Sequence, residues 1–188
     1  MAVDVKLQID QEALKRVEKM LRGFPKAIPK VMTKGINKTA AGAKTDIARK
    51  IAGEIKLKLS TIKKSIDMSK ASYSRWQAEL GIYGRRIPLI NFAARQTKAG
   101  VTYSIEPGSR KTIGSAFIQT MGSGHVGIFK RVTEARHPIR ELMGPSLGIV
   151  FNRSGSIARE SLRSAEQKLK HNIAVQTQIF LDKSRGAA

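Results

Sequence analysis

A chain of 188 residues is long enough for one domain with a hydrophobic core of its own. Hydrophobic residues make up 41% and charged residues 26%, as in ordinary globular proteins, but 35 Lys and Arg against 14 Asp and Glu give a net charge of +21. This self-repulsion favours an anionic partner: nucleic acid first, an acidic protein ring second, an anionic membrane third. The lack of cysteine excludes disulfide and thiolate chemistry.

The N-terminal residues predict a strand followed by a short helix. Apolar and polar side chains alternate from Val3 to Ile9, which is typical of a strand with one buried face. Asp10 is placed to cap a helix over residues 11–22, and Gly23 and Pro25 end that helix. There is no apolar signal core here, and no run in the chain approaches the ~20 apolar residues of a membrane span. We therefore expect a protein made and used in a cytoplasm or in a particle assembled there.

Residues 26–56 predict one long helix, in which Pro29 is tolerated if it lies in the first turn. Apolar side chains recur every three or four residues and predict one buried face. They are Ile28, Met32, Ile36, Ala40, Ala43, Ile47, Ile51 and Ile55.

Off this apolar face lie four lysines spaced one turn apart, here called the lysine row. The row consists of Lys26, Lys30, Lys34 and Lys38. Like charges at this spacing repel by about 0.2–0.5 kcal/mol per pair, and no acidic residue lies among them. The row fits three interpretations: a solvated face, a strip that contacts DNA phosphates, or a docking face for an acidic partner subunit.

A second basic stretch runs from Lys56 to Ala71 and predicts a short helix capped by Ser60 and extending through Ile66. Lys63 and Lys64 in this stretch are further candidate contacts to DNA. Basic residues exceed acidic ones along the whole chain, which argues against a globular body with a detachable basic tail.

Residues 72–135 predict an antiparallel sheet. Alternating or short apolar runs place its strands near residues 76–82, 87–92, 101–105, 111–113, 116–118 and 126–129. Pro88 puts its own segment at a sheet edge. The last two runs flank the glycine-rich segment from Met121 to His125 and predict a hairpin. The segment from Glu141 to Ser146 is expected to turn the chain into a helix.

The C-terminal part, residues 145–183, predicts a second long helix, regular from Ser156 to Lys183. Its apolar residues form a near-heptad seam that is narrower than a usual core face. We expect the seam to be an interface with a neighbouring subunit, the alternative being that it packs on the chain's own long helix. The interface residues would be Leu162, Leu169, Ile173 and Phe180.

The order of elements predicts an α+β fold in a single domain over residues 1–188. An antiparallel sheet would be flanked by the long basic N-terminal helix and the long C-terminal helix. Its parts would be a strand and short helix at 1–25, basic helices at 26–70, the sheet at 72–135 and the last helix at 145–183.

No arrangement of residues predicts catalysis. Of the three histidines, His125 lies at the hairpin tip, and the nearest carboxylates in sequence, Glu134 and Glu141, have no spacing that forces contact. We expect His125 to be structural or interfacial. No ligand spacing indicates zinc, and no glycine-rich loop has the lysine of a phosphate-binding loop. The sequence therefore predicts no enzyme, no metal and no cofactor.

Two blocks of the sequence resemble the minor tail protein Z family of tailed phages, the tail-completion proteins of lambdoid phages and prophages. The first runs from Arg86 to Val101 and includes Pro88 and Phe92. The second runs from Ala116 to Ser146 and contains the run SGHVGIF and the pieces PI, EL and GPS. The resemblance is strong from about Arg86 to Ser146 and fades before the C-terminal helix, which suits a partner-specific element there.

The resemblance implies a structural virion protein, assembled in the cytoplasm of the host bacterium, at the head-proximal end of the tail. It implies a homo-oligomeric ring, which could be six-fold, next to the tail terminator, tail tube or neck proteins and to the channel that DNA traverses. Its motif residues are candidates for interfaces. They are Arg86, Pro88, Phe92, Phe117, Gly124, His125, Phe129, Pro138, Glu141 and Pro145.

Two other function classes compete with this one. A non-specific double-stranded nucleic-acid-binding protein is supported by charge alone, since no DNA-reading motif occurs. A nuclease would need an acidic cluster for a metal, and the sequence has none. Mass in solution would separate a ring-forming tail protein from a simple nucleic-acid binder.

Overall fold

The computed structural model describes residues 3–8, 10–82, 84–153 and 155–185. It has long helices and antiparallel sheets, so the predicted α+β class is confirmed. The residues form two compact units. The helical unit contains residues 3–47, 66–82 and 155–185, and the sheet unit contains residues 48–65 and 84–153. That the whole chain folds as a single domain stays a prediction.

The helical unit begins as the sequence predicts. The alternating segment forms β1 (Val3–Gln8), and α1 (Gln11–Met20) follows it. Asp10 caps α1, because its Oδ1 accepts a hydrogen bond from the backbone N–H of Ala13 at 2.6 Å. Ile9, the last residue of the predicted strand, lies outside the described residues.

The second long element is α2 (Ile28–Glu54), preceded by a 3-10 turn over Pro25–Ala27. Its predicted apolar face is confirmed from Met32 to Ile51, where each member is at most 3% exposed, whereas Ile28 is half-buried. Ile55, the last predicted member, is also buried but follows the end of the helix. Residues up to Ile47 belong to the helical unit, and those from Ala48 belong to the sheet unit.

Three strands complete the helical unit's sheet in the order β1-β3-β2, all antiparallel. The new members are β2 (Ile66–Ser69) and β3 (Gln77–Ile82). The sequence interpretation missed β2, because the lysine-rich run before it suggested only a helix. It also assigned the β3 segment to the central sheet, whereas β3 pairs on both sides within the helical unit.

The C-terminal helix α5 (Gly155–Arg185) packs on α2 of its own chain. A Cβ added to Gly35 would lie 2.7 Å from Ile173 Cγ1 and 3.2 Å from its Cα, so the two helices approach closely there. Asn172 also donates a hydrogen bond to the Thr39 hydroxyl at 3.0 Å. Leu169 and Ile173 are 5% and 2% exposed. These two seam residues are therefore core residues, as the alternative interpretation required, and are not available to a neighbouring subunit.

The sheet unit contains a short helix, α3 (Leu59–Lys64), and three separate small sheets. The predicted Ser60 cap is wrong, because α3 begins at Leu59 and Lys58 occupies the cap position without a side-chain bond. The strands are β4 (Arg86–Pro88), β5 (Arg95–Thr97), β6 (Gly100–Tyr103), β7 (Lys111–Ile113), β8 (Ala116–Thr120), β9 (Val126–Arg131), β10 (Ile139–Glu141) and β11 (Met143–Ser146). The sheet orders are β5-β6-β7, β10-β9-β8 and β11-β4.

Residues 141–146 differ from the prediction of a turn into a helix. They complete β10 and form β11, and only then does α4 (Leu147–Arg153) begin. Gly144 in β11 faces the buried ring of Phe92, where an added Cβ would lie 2.5 Å from Cε2. A side chain at this position would displace the ring, so the glycine is required for the packing of this core.

Candidate functional site

The lysine row of the helical unit is exposed along its whole length. Lys26 lies in the 3-10 turn, and the other three members follow one turn apart on α2. None of the four forms an ion pair with a described residue, and the first turn of α2 contains no acidic residue. The row also starts at a helix N-terminus, whose dipole adds positive potential. This surface suits an anionic partner.

Lys63 and Lys64, the other two predicted DNA contacts, lie in the last turn of α3 in the sheet unit. Lys64 is exposed, whereas Lys63 is half-buried. The six candidate cations therefore form two sets, one in each unit.

The hairpin of β8 and β9 forms as predicted, and its tip carries a contact that the sequence did not indicate. The His125 Nε2 lies 2.9 Å from the Glu141 Oε1, because β10 pairs with β9 and places Glu141 opposite Phe129. The two residues are 16 positions apart in sequence, and nothing local indicates that the segment at Ile139–Glu141 pairs with β9.

Two glycines make the contact between His125 and Glu141 possible. An added Cβ on Gly127 would lie 2.7 Å from the Glu141 Oε1 and 2.9 Å from the Phe129 Cζ. Gly124 has a φ of +81°, which allows the tight turn at the tip. The pair fixes the tip to β10. Among the described residues no hydroxyl bonds to His125, so the pair lacks the nucleophile of a catalytic triad.

The remaining motif residues divide between core and surface. Phe92 and Phe129 are buried, and the Arg131 guanidinium lies over the Phe117 ring at 5.4 Å. Four others are half-buried or exposed and remain candidates for an interface. These are Arg86, Pro88, Pro138 and Pro145.

Two members of the C-terminal seam still reach the surface. Leu162 is 40% exposed, and Phe180 is half-buried against Phe24 with ring centroids 5.6 Å apart. Both lie in the helical unit.

An ion pair ties α5 to the cap of α1. The Lys170 Nζ lies 3.1 Å from the Asp10 Oδ2. The pKa of Asp10 is lowered, first by the hydrogen bond from the Ala13 backbone N–H and then by the bond from Lys170. The carboxylate is therefore favoured in its charged form.

Within the described ranges, no group of three or more His, Asp or Glu side chains is placed to hold a metal ion. No helix described here is long and apolar enough to cross a membrane.

The fold and these surfaces define a strongly basic α+β protein that exposes a row of cations on its long helix α2. The family of prophage minor tail protein Z matches residues 11–183, and the chain belongs to this family. It is thus a structural protein of a phage tail, in contact with other tail proteins in the virion. Comparison with curated proteins and with solved structures gives no match.

The family match extends the resemblance seen in the sequence. It covers α5 almost to its end, so the expectation that the resemblance fades before the C-terminal helix is wrong. The helix belongs to the family's common region, which agrees with its packing in the core of the helical unit.

Proposed function

We propose that this tail protein completes the tail at its head-proximal end and makes the head–tail joint productive beside the channel that DNA traverses. The observation that carries the proposal is the lysine row, which is exposed and has no described acidic partner. A tail protein can contact many other proteins, but the phage DNA is the one polyanion that passes through the tail. A row of unpaired cations on such a protein suits the DNA backbone.

The protein would act by assembly, as a homo-oligomeric ring, with the tail terminator, tail tube or neck proteins as its neighbours. A ring around the channel would repeat the lysine row around the path of the DNA. Weak, sequence-independent contacts between these lysines and the DNA phosphates would hold the end of the DNA in the channel and would still allow the DNA to move through it. Catalysis has no part in this role.

Image reconstruction of particles with and without the protein tests the position. The density that is missing from particles without the protein, and that returns when the protein is added back, should lie at the head-proximal end of the tail. Particles lacking the protein should contain heads and tails but should not be infectious. Density at the distal end, or no loss of infectivity, would refute the proposal.

The second candidate function is non-specific binding of double-stranded nucleic acid outside the particle, which the same lysine row favours. The two functions differ in where the protein resides. Purified virions should contain it as stoichiometric rings if the first function holds. A protein that is monomeric in solution and absent from purified virions would favour the second.

A further inference from the structure

A contacting pair of phenylalanines, one exposed and one half-buried, lies beside the start of the lysine row. Phe24 follows α1 and is 46% exposed, whereas Phe92 and Phe151 are almost completely buried. The Phe24 ring meets that of Phe180 on α5 edge-on, with centroids 5.6 Å apart. A surface cavity of about 430 Å³ opens here, lined chiefly by Phe24, Pro25, Lys26, Lys30 and Phe180. We call it the aromatic pocket; all its residues belong to the helical unit.

The backbone holds Phe24 in place before any partner arrives. Its N–H donates to the Leu21 carbonyl at 2.8 Å, and its carbonyl accepts from the Ala27 N–H at 2.9 Å. Pro25 fixes the next φ angle. An exposed aromatic ring on an ordered turn loses little entropy on binding, which is why such residues often dominate protein interfaces.

The rim of the pocket is cationic. Lys26 and Lys30 line it, no lining residue is acidic, and neither lysine pairs with a described carboxylate. Lys34 and Lys38, one and two turns further along α2, do not line it. The lysine row therefore has two halves with different surroundings, one beside aromatic rings and one on an open helix surface.

Duplex DNA offers phosphates, but its apolar groups lie within its grooves and it has no flexible apolar side chain to insert into the cavity beside the Phe24 and Phe180 rings. An acidic protein segment offers both a carboxylate for the lysines and an apolar side chain for the cavity, whose volume is in the range of small binding pockets. We propose that the aromatic pocket docks an acidic segment of a neighbouring tail protein, which inserts one aromatic or long aliphatic side chain beside Phe24. Lys26 and Lys30 bind its carboxylates, while Lys34 and Lys38 remain for DNA. The assignment of those last two rests on the proposed function, in which Lys34 and Lys38 are then the part of the lysine row that faces the DNA.

Cosedimentation of the purified protein with tails from a phage that lacks it tests the pocket. Phe24→Ser and the double variant Lys26→Gln/Lys30→Gln should each weaken binding to these tails by about tenfold or more. The matched double variant Lys34→Gln/Lys38→Gln removes the same amount of charge from the neighbouring part of α2, and it should change the affinity for tails by less than about twofold. Tyr73→Ser is the control for the loss of an exposed aromatic ring, because Tyr73 is 64% exposed and does not line the pocket. It should leave tail binding unchanged.

A short DNA duplex provides the second arm, and circular dichroism verifies that each variant is folded. Phe24→Trp should retain tail binding, since it keeps the ring. Phe24→Ser should leave DNA affinity unchanged. The inference is overturned if the pocket variants sediment with tails as the wild type does, or if Phe24→Ser weakens DNA binding as much as tail binding.

The two proposals fail in different ways. If wild type and Phe24→Ser restore infectivity equally, the pocket is not a docking site while the tail-completion role stands. If the wild type binds the tails through the pocket but joins them at the distal end, the head-proximal role fails and the pocket stands.

Discussion

Replacing Ile173 with Ala should destabilise the helical unit without directly affecting any surface. Ile173 is 2% exposed and lies against Gly35 of α2. Truncation of a buried isoleucine to alanine costs about 2–5 kcal/mol because it loses burial and leaves a cavity. For a protein of this size each kcal/mol lowers the melting temperature by about 2–4 °C, so a loss of about 3 kcal/mol gives a shift of about 6–12 °C.

The glycine supplies an internal check on this contact. Gly35→Ala gains about 1 kcal/mol of helix propensity, but its Cβ would lie 2.7 Å from the Ile173 Cγ1 and cost about 1–3 kcal/mol through overpacking. In the Ile173→Ala background the Cγ1 is absent, and the nearest remaining atom is the Cα of residue 173 at 3.2 Å, so that only part of the cost remains. The two changes should therefore be coupled by about 1 kcal/mol.

Urea and thermal unfolding followed by circular dichroism measure these changes, with Leu162→Ala as the control on the exposed side of α5. That variant should lose less than about 1 kcal/mol, since Leu162 is 40% exposed. If Ile173→Ala is as stable as the wild type but loses self-association, the seam is an interface and the reasoning from burial is refuted.

Three further predictions concern charge and the hairpin. Lys34→Gln/Lys38→Gln should make the negative slope of log affinity for duplex DNA against log salt shallower, by about 0.9 for each phosphate that the variant no longer neutralises. Filter binding at several salt concentrations measures the slope, and an unchanged slope would show that these two lysines do not contact DNA. Gly127→Ala should destabilise the sheet unit, because the new Cβ would lie 2.9 Å from the buried Phe129 ring as well as against the Glu141 carboxylate. Hydrogen exchange of the hairpin amides should become faster, and unchanged exchange would mean that the ring and the strand shift without cost. The lowered pKa of Asp10 predicts that its contribution to stability is present above pH 3.8, the ordinary value, and is lost as pH falls through the lower value of the folded state. Asp10→Asn should weaken that acid dependence in pH-jump unfolding, and a steeper dependence would contradict it.

Elements with a strong local pattern could be predicted from the sequence. The strand β1, the cap at Asp10, the buried face of α2 and the hairpin tip each follow from spacing within a few residues. Pairing between distant segments could not be predicted in this way. The partner of β3 and the contact between His125 and Glu141 depend on which strands meet.

The narrow seam of α5 shows a different limit. A narrow apolar stripe suggested a partner helix, on the assumption that a helix covering its own chain needs a broad face. Gly35 invalidates that assumption, because a residue without a side chain lets two helix backbones approach until a single row of contacts suffices. The glycine was visible in the sequence, but its position opposite Ile173 was not.

In the part of the chain that the structure describes, the strands form four small sheets, and many of these strands have an unpaired edge. Such edges promote aggregation between chains. Several of these edges carry a cation that opposes pairing. Examples are Lys6 in β1, Arg86 in β4, Arg95 in β5, Lys111 in β7 and Arg140 in β10. The same positive charge that suits a polyanion should thus also oppose aggregation between free copies of the chain. Concentrated stocks should precipitate when phosphate or DNA neutralises them and should stay clear in low salt without polyanions.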